Sequence, residues 1–179
     1  MGSVAAQTVF TVVMTTKPAL TAAALVLATL AWSPTVHADN PPSCTSAQLT
    51  VTTGPARAAV GHRGVPLVFS LAPGAAACTL TGYPGVDSGD GGPLLHAERT
   101  VRGYLGGLPS VVDVPPTVTV WPGHPAQAIV EGLAVDADGN QCPTYTDLLV
   151  TAPDTYDTVT VPATIDTCRL QVHPVTAVS

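Results

Sequence analysis

Lysine is almost missing from this chain. Lys17 is the only one, so five of the six basic residues are arginines, and they stand against twelve Asp and Glu, for a formal net charge of −6. A chain with that balance is not drawn to nucleic acid or to an anionic membrane by long-range attraction. Charged residues make up only 10% of the sequence. The carboxylates stand singly in turn-like settings, so the acidity reads as solubility. Methionine stops at Met14, which argues against a copper carrier of the Met-and-His kind. There is no C-x-x-C, and with it go the usual redox motif and the zinc knuckle. There is no H-x-H or H-x₃-H either. His62, His96, His124 and His173 therefore read as scattered surface histidines, and no metal or cofactor is expected. No long segment shows a helical period, and no internal repeat is present.

What is present begins with a leader. Lys17 precedes an apolar run from Ala19 to Trp32, which is followed by Val36-His37-Ala38. A positive start, a short apolar stretch and small residues before a cut describe a secretory signal peptide over residues 1–38. The run is shorter than the roughly 20 apolar residues of a membrane span. Met14 opens a tidier version of the same leader and offers a second start. A lipid-anchor cysteine would directly follow the apolar run, whereas Cys44 follows Asn40-Pro41-Pro42-Ser43. The expectation is a single exported domain over residues 39–179, without a stable membrane anchor.

All four cysteines, Cys44, Cys78, Cys142 and Cys168, lie beyond the leader. An even count in an exported chain reads as two disulfides. Of the three possible pairings, Cys44–Cys78 with Cys142–Cys168 is preferred, because each pair flanks a self-contained group of strand-like segments. Loops of this size stabilise a fold by roughly 3–4 kcal/mol each in the chain-entropy picture.

The rest of the chain alternates. Gln48–Thr52, Val65–Leu71, Thr117–Trp121, Thr158–Val161 and Cys168–His173 each place apolar residues on one face, as half-buried strands do. In the last of these, Cys168, Leu170 and Val172 point inward, and Arg169, Gln171 and His173 outward. Ala126–Val135 and Leu148–Thr151 are further strands. Gly54-Pro55, Pro73-Gly74, Pro84-Gly85, Pro122-Gly123 and Asp138-Gly139 mark reversals or loops. Short strands at this spacing predict an all-β, antiparallel β-sandwich. One irregular stretch, Asp87–Pro116, is longer than a connection requires. It carries Leu94-Leu95, which could form an extra strand, and the contact-forming residues Arg99, Arg102 and Tyr104. A binding loop is expected between Asp87 and Pro109, against the alternative of a loose glycine-rich insertion.

Three motifs invite chemistry and read better as architecture. Ser88, in Asp87-Ser88-Gly89-Asp90, lacks the flanking residues of a chymotrypsin-like nucleophile. Its nearest upstream histidine, His62, sits in a turn-like Gly61-His62-Arg63-Gly64. Asp136-Ala137-Asp138-Gly139-Asn140 begins like a calcium loop but has its glycine at the fourth position, so an Asp-Gly turn is favoured. Trp121 ends a strand and is expected in the core, which has few aromatics to fill it.

The stretch Cys78-Thr79-Leu80-Thr81-Gly82-Tyr83-Pro84-Gly85-Val86 resembles the C-x-L-x-G-Y-P-G-V signature of actinobacterial exported proteins grouped as domain of unknown function 4232. The early Cys44 before Leu49-Thr50-Val51, the turn Trp121-Pro122-Gly123-His124, and the later pair Cys142 and Cys168 fit the same pattern. The resemblance implies an immunoglobulin-like sandwich, exported or lipid-anchored, although the anchor cysteine is missing here. It transfers no catalytic residue. The functional expectation is a non-catalytic binding module of the cell envelope or extracellular space, with a partner there. The alternatives are a small extracellular hydrolase acting through loop residues, or a weak metal-binding protein.

Overall fold

A computed structural model of the chain describes residues 40–178. The leader and its cleavage site lie outside the described residues. The described residues form a single 3₁₀ turn, Ser46–Gln48, and twelve strands: β1 Leu49–Thr53, β2 Arg57–Ala59, β3 His62–Leu71, β4 Cys78–Thr81, β5 Gly85–Ser88, β6 Glu98–Arg99, β7 Thr117–Val120, β8 Ala126–Leu133, β9 Thr144–Thr151, β10 Thr158–Asp166, β11 Leu170–Val172 and β12 Thr176–Ala177. The alternating segments read from the sequence all appear. The turn expected around His62 does not. Val60 and Gly61 make the reversal, with φ of 47° and 81°, and His62 already opens β3, opposite Ala59.

A seven-stranded sheet runs in the order β1-β3-β8-β11-β6, with β2 on β3 and β12 on β8; a three-stranded sheet runs β10-β9-β5, and β4 pairs with β7. Pairing is antiparallel except for β6, which runs parallel to β11. The core lies between the large sheet and the smaller ones. Leu67, Phe69, Leu80, Val120, Leu148, Val150 and Leu170 are all buried there. The side-chain period of two explains which residues reach it: Val65, Leu67 and Phe69 of β3 face inward, with Val130, Ala128 and Ala126 of β8 in register beside them.

Both expected disulfides form. Cys44–Cys78 has a Cα separation of 4.8 Å, and Cys142–Cys168 one of 5.0 Å. The first ties the entering chain to β4, reinforced by Cys44 N–H donating to the Thr79 carbonyl at 2.9 Å. The turn after β4 uses Gly82 at φ 91°, and the Gly82 carbonyl accepts from Val175 N–H at 2.8 Å. The signature around Cys78 is thus a staple followed by a redirected chain.

Trp121 is not in the core. Val118 and Val120 take the inward positions of β7, which leaves Trp121 on the outward alternation and 50% exposed. Its indole meets His124 edge-on at 4.9 Å. Phe69 and Tyr145 are the buried aromatics instead.

Candidate functional site: a loop seated on a buried carboxylate

The long stretch after β5 is built rather than loose. It first doubles back on β5, with Ser88 N–H donating to Leu95 O at 2.9 Å and Ala97 N–H to Val86 O at 2.8 Å. β6 then lies beside β11, and Thr100 N–H donates to Val172 O at 3.0 Å. Next comes a small hairpin. Leu108 N–H donates to Val101 O at 2.9 Å, and Gly103 N–H to Gly106 O at 2.9 Å. Its tip is Tyr104-Leu105.

That tip rests on the outer face of the seven-stranded sheet, over Glu131. In β8, Glu131 pairs with Gly64 of β3 and with Gln171 of β11, on the face turned away from the core. It is nevertheless only 2% exposed, because the hairpin covers it. Its carboxylate accepts four hydrogen bonds. At Oε1 the donors are Tyr104 N–H, at 3.0 Å, and His62 Nδ1, at 2.6 Å. At Oε2 they are Leu105 N–H, at 2.9 Å, and His173 Nε2, at 3.1 Å. An ionised carboxylate only accepts, so each imidazole presents its N–H to Glu131. The other nitrogen of His173, Nδ1, lies 3.0 Å from the Thr100 hydroxyl and 3.1 Å from the Thr100 carbonyl. Burial pushes the Glu131 carboxyl up. The donors from Leu105, His173, Tyr104 and His62 outweigh that effect and hold it below the usual carboxylate range.

Glycine makes this approach possible. A Cβ on Gly103 would lie 2.4 Å from Glu131 Oε2 and 2.6 Å from His173 Nε2, and one on Gly106 would lie 2.7 Å from Ile129 Cβ. The hairpin can therefore reach the sheet only with bare backbone at these two positions. Leu105 closes the seat from the other side, in contact distance of Gly64.

Two histidines expected on the surface are thus brought together. His173 does sit on the outward alternation of its strand, but that face is roofed by the hairpin, and His173 is 0% exposed. The Tyr104 ring stacks on the His62 ring at 4.6 Å, with 17° between the planes, and Tyr104 stays 58% exposed. Arg102 works inside the loop. Its guanidinium donates to the carbonyls of Leu108, Pro109 and Val112 and pairs with Asp113 at 2.7 Å. Arg99, in register with the core-facing Val172 of β11, is exposed at the sheet edge on the opposite alternation. The structure therefore gathers Tyr104 with His62, keeps Arg102 as a loop staple and sets Arg99 apart.

Ser88 is buried, with its hydroxyl accepting from Leu95 N–H at 2.8 Å and lying 3.4 Å from the Pro93 carbonyl. The neighbouring His96–Asp87 pair, at 2.7 Å, belongs to the opposite alternation of the strand. In the Asp136–Asn140 turn, Asp136 accepts from the backbone of Asp138 and Asn140 and from the Asn140 amide. These donors hold its carboxyl below the usual range. Among the described residues, no three His, Cys, Asp or Glu side chains converge as metal ligands would.

Fold and site together describe an all-β domain with two disulfides and a hydrogen-bonded loop that carries a half-exposed tyrosine. The chain belongs to the family described as domain of unknown function (DUF4232), whose model matches residues 44–176. No curated protein matches the chain, and no solved structure does.

Proposed function

We propose that this chain is an exported, non-catalytic binding module of the cell envelope or extracellular space, and that it contacts its partner through the outer surface of the seated hairpin. The observation that carries this reading is the Glu131 seat, which fixes a loop that ends in a half-exposed tyrosine stacked on histidine. A side chain held in place before binding loses little further freedom on contact, which is how rigid aromatic anchors give affinity. Export is supported by the two disulfides and by the leader motif. Among the described residues, no helix is long and apolar enough to cross a membrane.

The test is a pulldown from the producing cell's envelope fraction, with parent and Tyr104→Ala protein as paired baits. A partner retained by the parent and at least several-fold depleted by the variant, at unchanged melting temperature, supports the reading. Equal retention moves the contact elsewhere. N-terminal sequencing of protein from the medium is expected to begin at Asp39; intact Met1 or Met14 in a membrane pellet contradicts export.

A further inference from the structure

The arginines gather on one sheet, where Glu98 and Glu131 also lie. All five arginines belong to the seven-stranded sheet, its covering loop, or the segment entering β11: Arg57, Arg63, Arg99, Arg102 and Arg169. The three-stranded sheet and its turns carry Asp87, Asp147, Asp154, Asp157 and Asp166, and no arginine. On the outer face of the large sheet, one register row runs Arg57–Gly64–Glu131–Gln171–Glu98. Glu131, at its centre, is covered and spent on four donors. Among the described residues Arg57 has no ion-pair partner, while Arg169 pairs with Glu98 where both side chains are more than half exposed. An exposed pair of that kind is weak and readily exchanged.

Beside this row is a cavity of about 60 Å³, lined by His62, Glu131, Gly132, Leu133, Arg169 and Gln171. At about 30 Å³ per water, it has room for two waters or one small planar group. Imidazole, guanidinium and amide line it, and the one carboxylate among them is already saturated. Exposed apolar side chains border it: Leu133 lines it and is 42% exposed, Tyr104, 58% exposed, stacks on His62, and Val60, 82% exposed, lies in the turn that leads into His62. Val60 is also a β-branched residue held at φ 47°. Few such residues adopt that region, and the turn would be relaxed by Asn or Gly. Folding gives no reason for an exposed, strained valine at this tip.

We propose that this end of the outer face binds a polypeptide segment that carries a carboxylate next to an aliphatic or aromatic side chain. The carboxylate takes Arg169 from Glu98, in the forked geometry a guanidinium favours, and the apolar neighbour packs on Tyr104, Leu133 and Val60. This rests on the binding-module reading above and names its partner class.

The experiment is panning of phage-displayed random peptides on protein made from the full-length chain in an exporting, oxidising host, followed by titration of enriched peptides in solution. The expected result is enrichment of Asp or Glu beside an apolar residue. Binding is expected to fall at least tenfold with Arg169→Gln, to tighten several-fold with Glu98→Gln, and to fall with Val60→Asn although that variant melts higher. Enriched peptides without an acidic residue, yet dependent on Tyr104, overturn the partner class and leave the module reading standing. Acidic peptides that bind Arg169→Gln as well as the parent overturn the assigned site. Displacement by millimolar inorganic phosphate alone, as effective as by free peptide, makes this a simple anion site and also overturns the proposal. No enrichment at all counts against both readings.

Discussion

Replacing Glu131 by glutamine keeps the side chain's shape and takes away its charge and half of its acceptors. The carboxylate receives His62 and Tyr104 at one oxygen and His173 and Leu105 at the other. An amide offers one oxygen and one NH₂. Whichever way it sits, one of these pairs of donors faces the NH₂. Each buried donor left without an acceptor costs about 1–3 kcal/mol. A histidine can relieve its share by moving its proton to the other ring nitrogen, but a backbone N–H cannot. The expected loss is therefore about 2–4 kcal/mol, a large part of the roughly 5–15 kcal/mol that holds a domain folded. For a chain of this size it corresponds to a melting temperature lowered by about 6–12 °C. Urea and thermal unfolding of parent and Glu131→Gln, with the disulfides intact, measure it. A melting temperature within about 2 °C of the parent would refute the claim that Glu131 holds the hairpin down.

Gly103→Ala places a methyl group 2.4 Å from Glu131 Oε2, so it is expected to cost about 1–3 kcal/mol by overpacking, read by urea unfolding; parental stability would show that the hairpin stands off the sheet. Because the Glu131 carboxyl is held below its ordinary value of 4.5, its contribution is complete above that pH and is lost as pH falls through the lowered folded value. The stability gap between parent and Glu131→Gln is therefore expected to narrow in acid below 4.5, and a gap that widens there would contradict the sign. Ser88→Ala removes a buried acceptor of Leu95 N–H and is expected to cost about 1–2 kcal/mol by the same assay; no change would mean that this loop end is not anchored through Ser88.

The disulfide pairing was legible because each pair of cysteines flanks its own strands. The strands were legible because alternation reports burial on one face directly. Trp121 is misplaced when the scarcity of aromatics is weighed over register: Val118 and Val120 occupy the inward positions. The seat itself was the hardest feature to read. Ile129-Val130-Glu131-Gly132 is a strand segment covered on both faces, so the lone Glu131 within it is a signal of a buried charge. Its partners come from 69 and 27 residues upstream and 42 residues downstream in the chain. No local pattern joins them. The glycine content of this loop fits a loose insertion as well as a built one, whereas Gly103 and Gly106 allow the loop to touch the sheet. The outward assignment of His173 was right about the strand and silent about what would lie over it.

Amide hydrogen exchange at Tyr104 and Leu105 in the unmodified protein tests the central claim most directly. Both N–H groups donate to a buried carboxylate, so both are expected to exchange slowly, with protection close to that of the β8 amides paired with β3. Exchange of these two amides at the rate of an open loop, while β8 stays protected, would contradict the account.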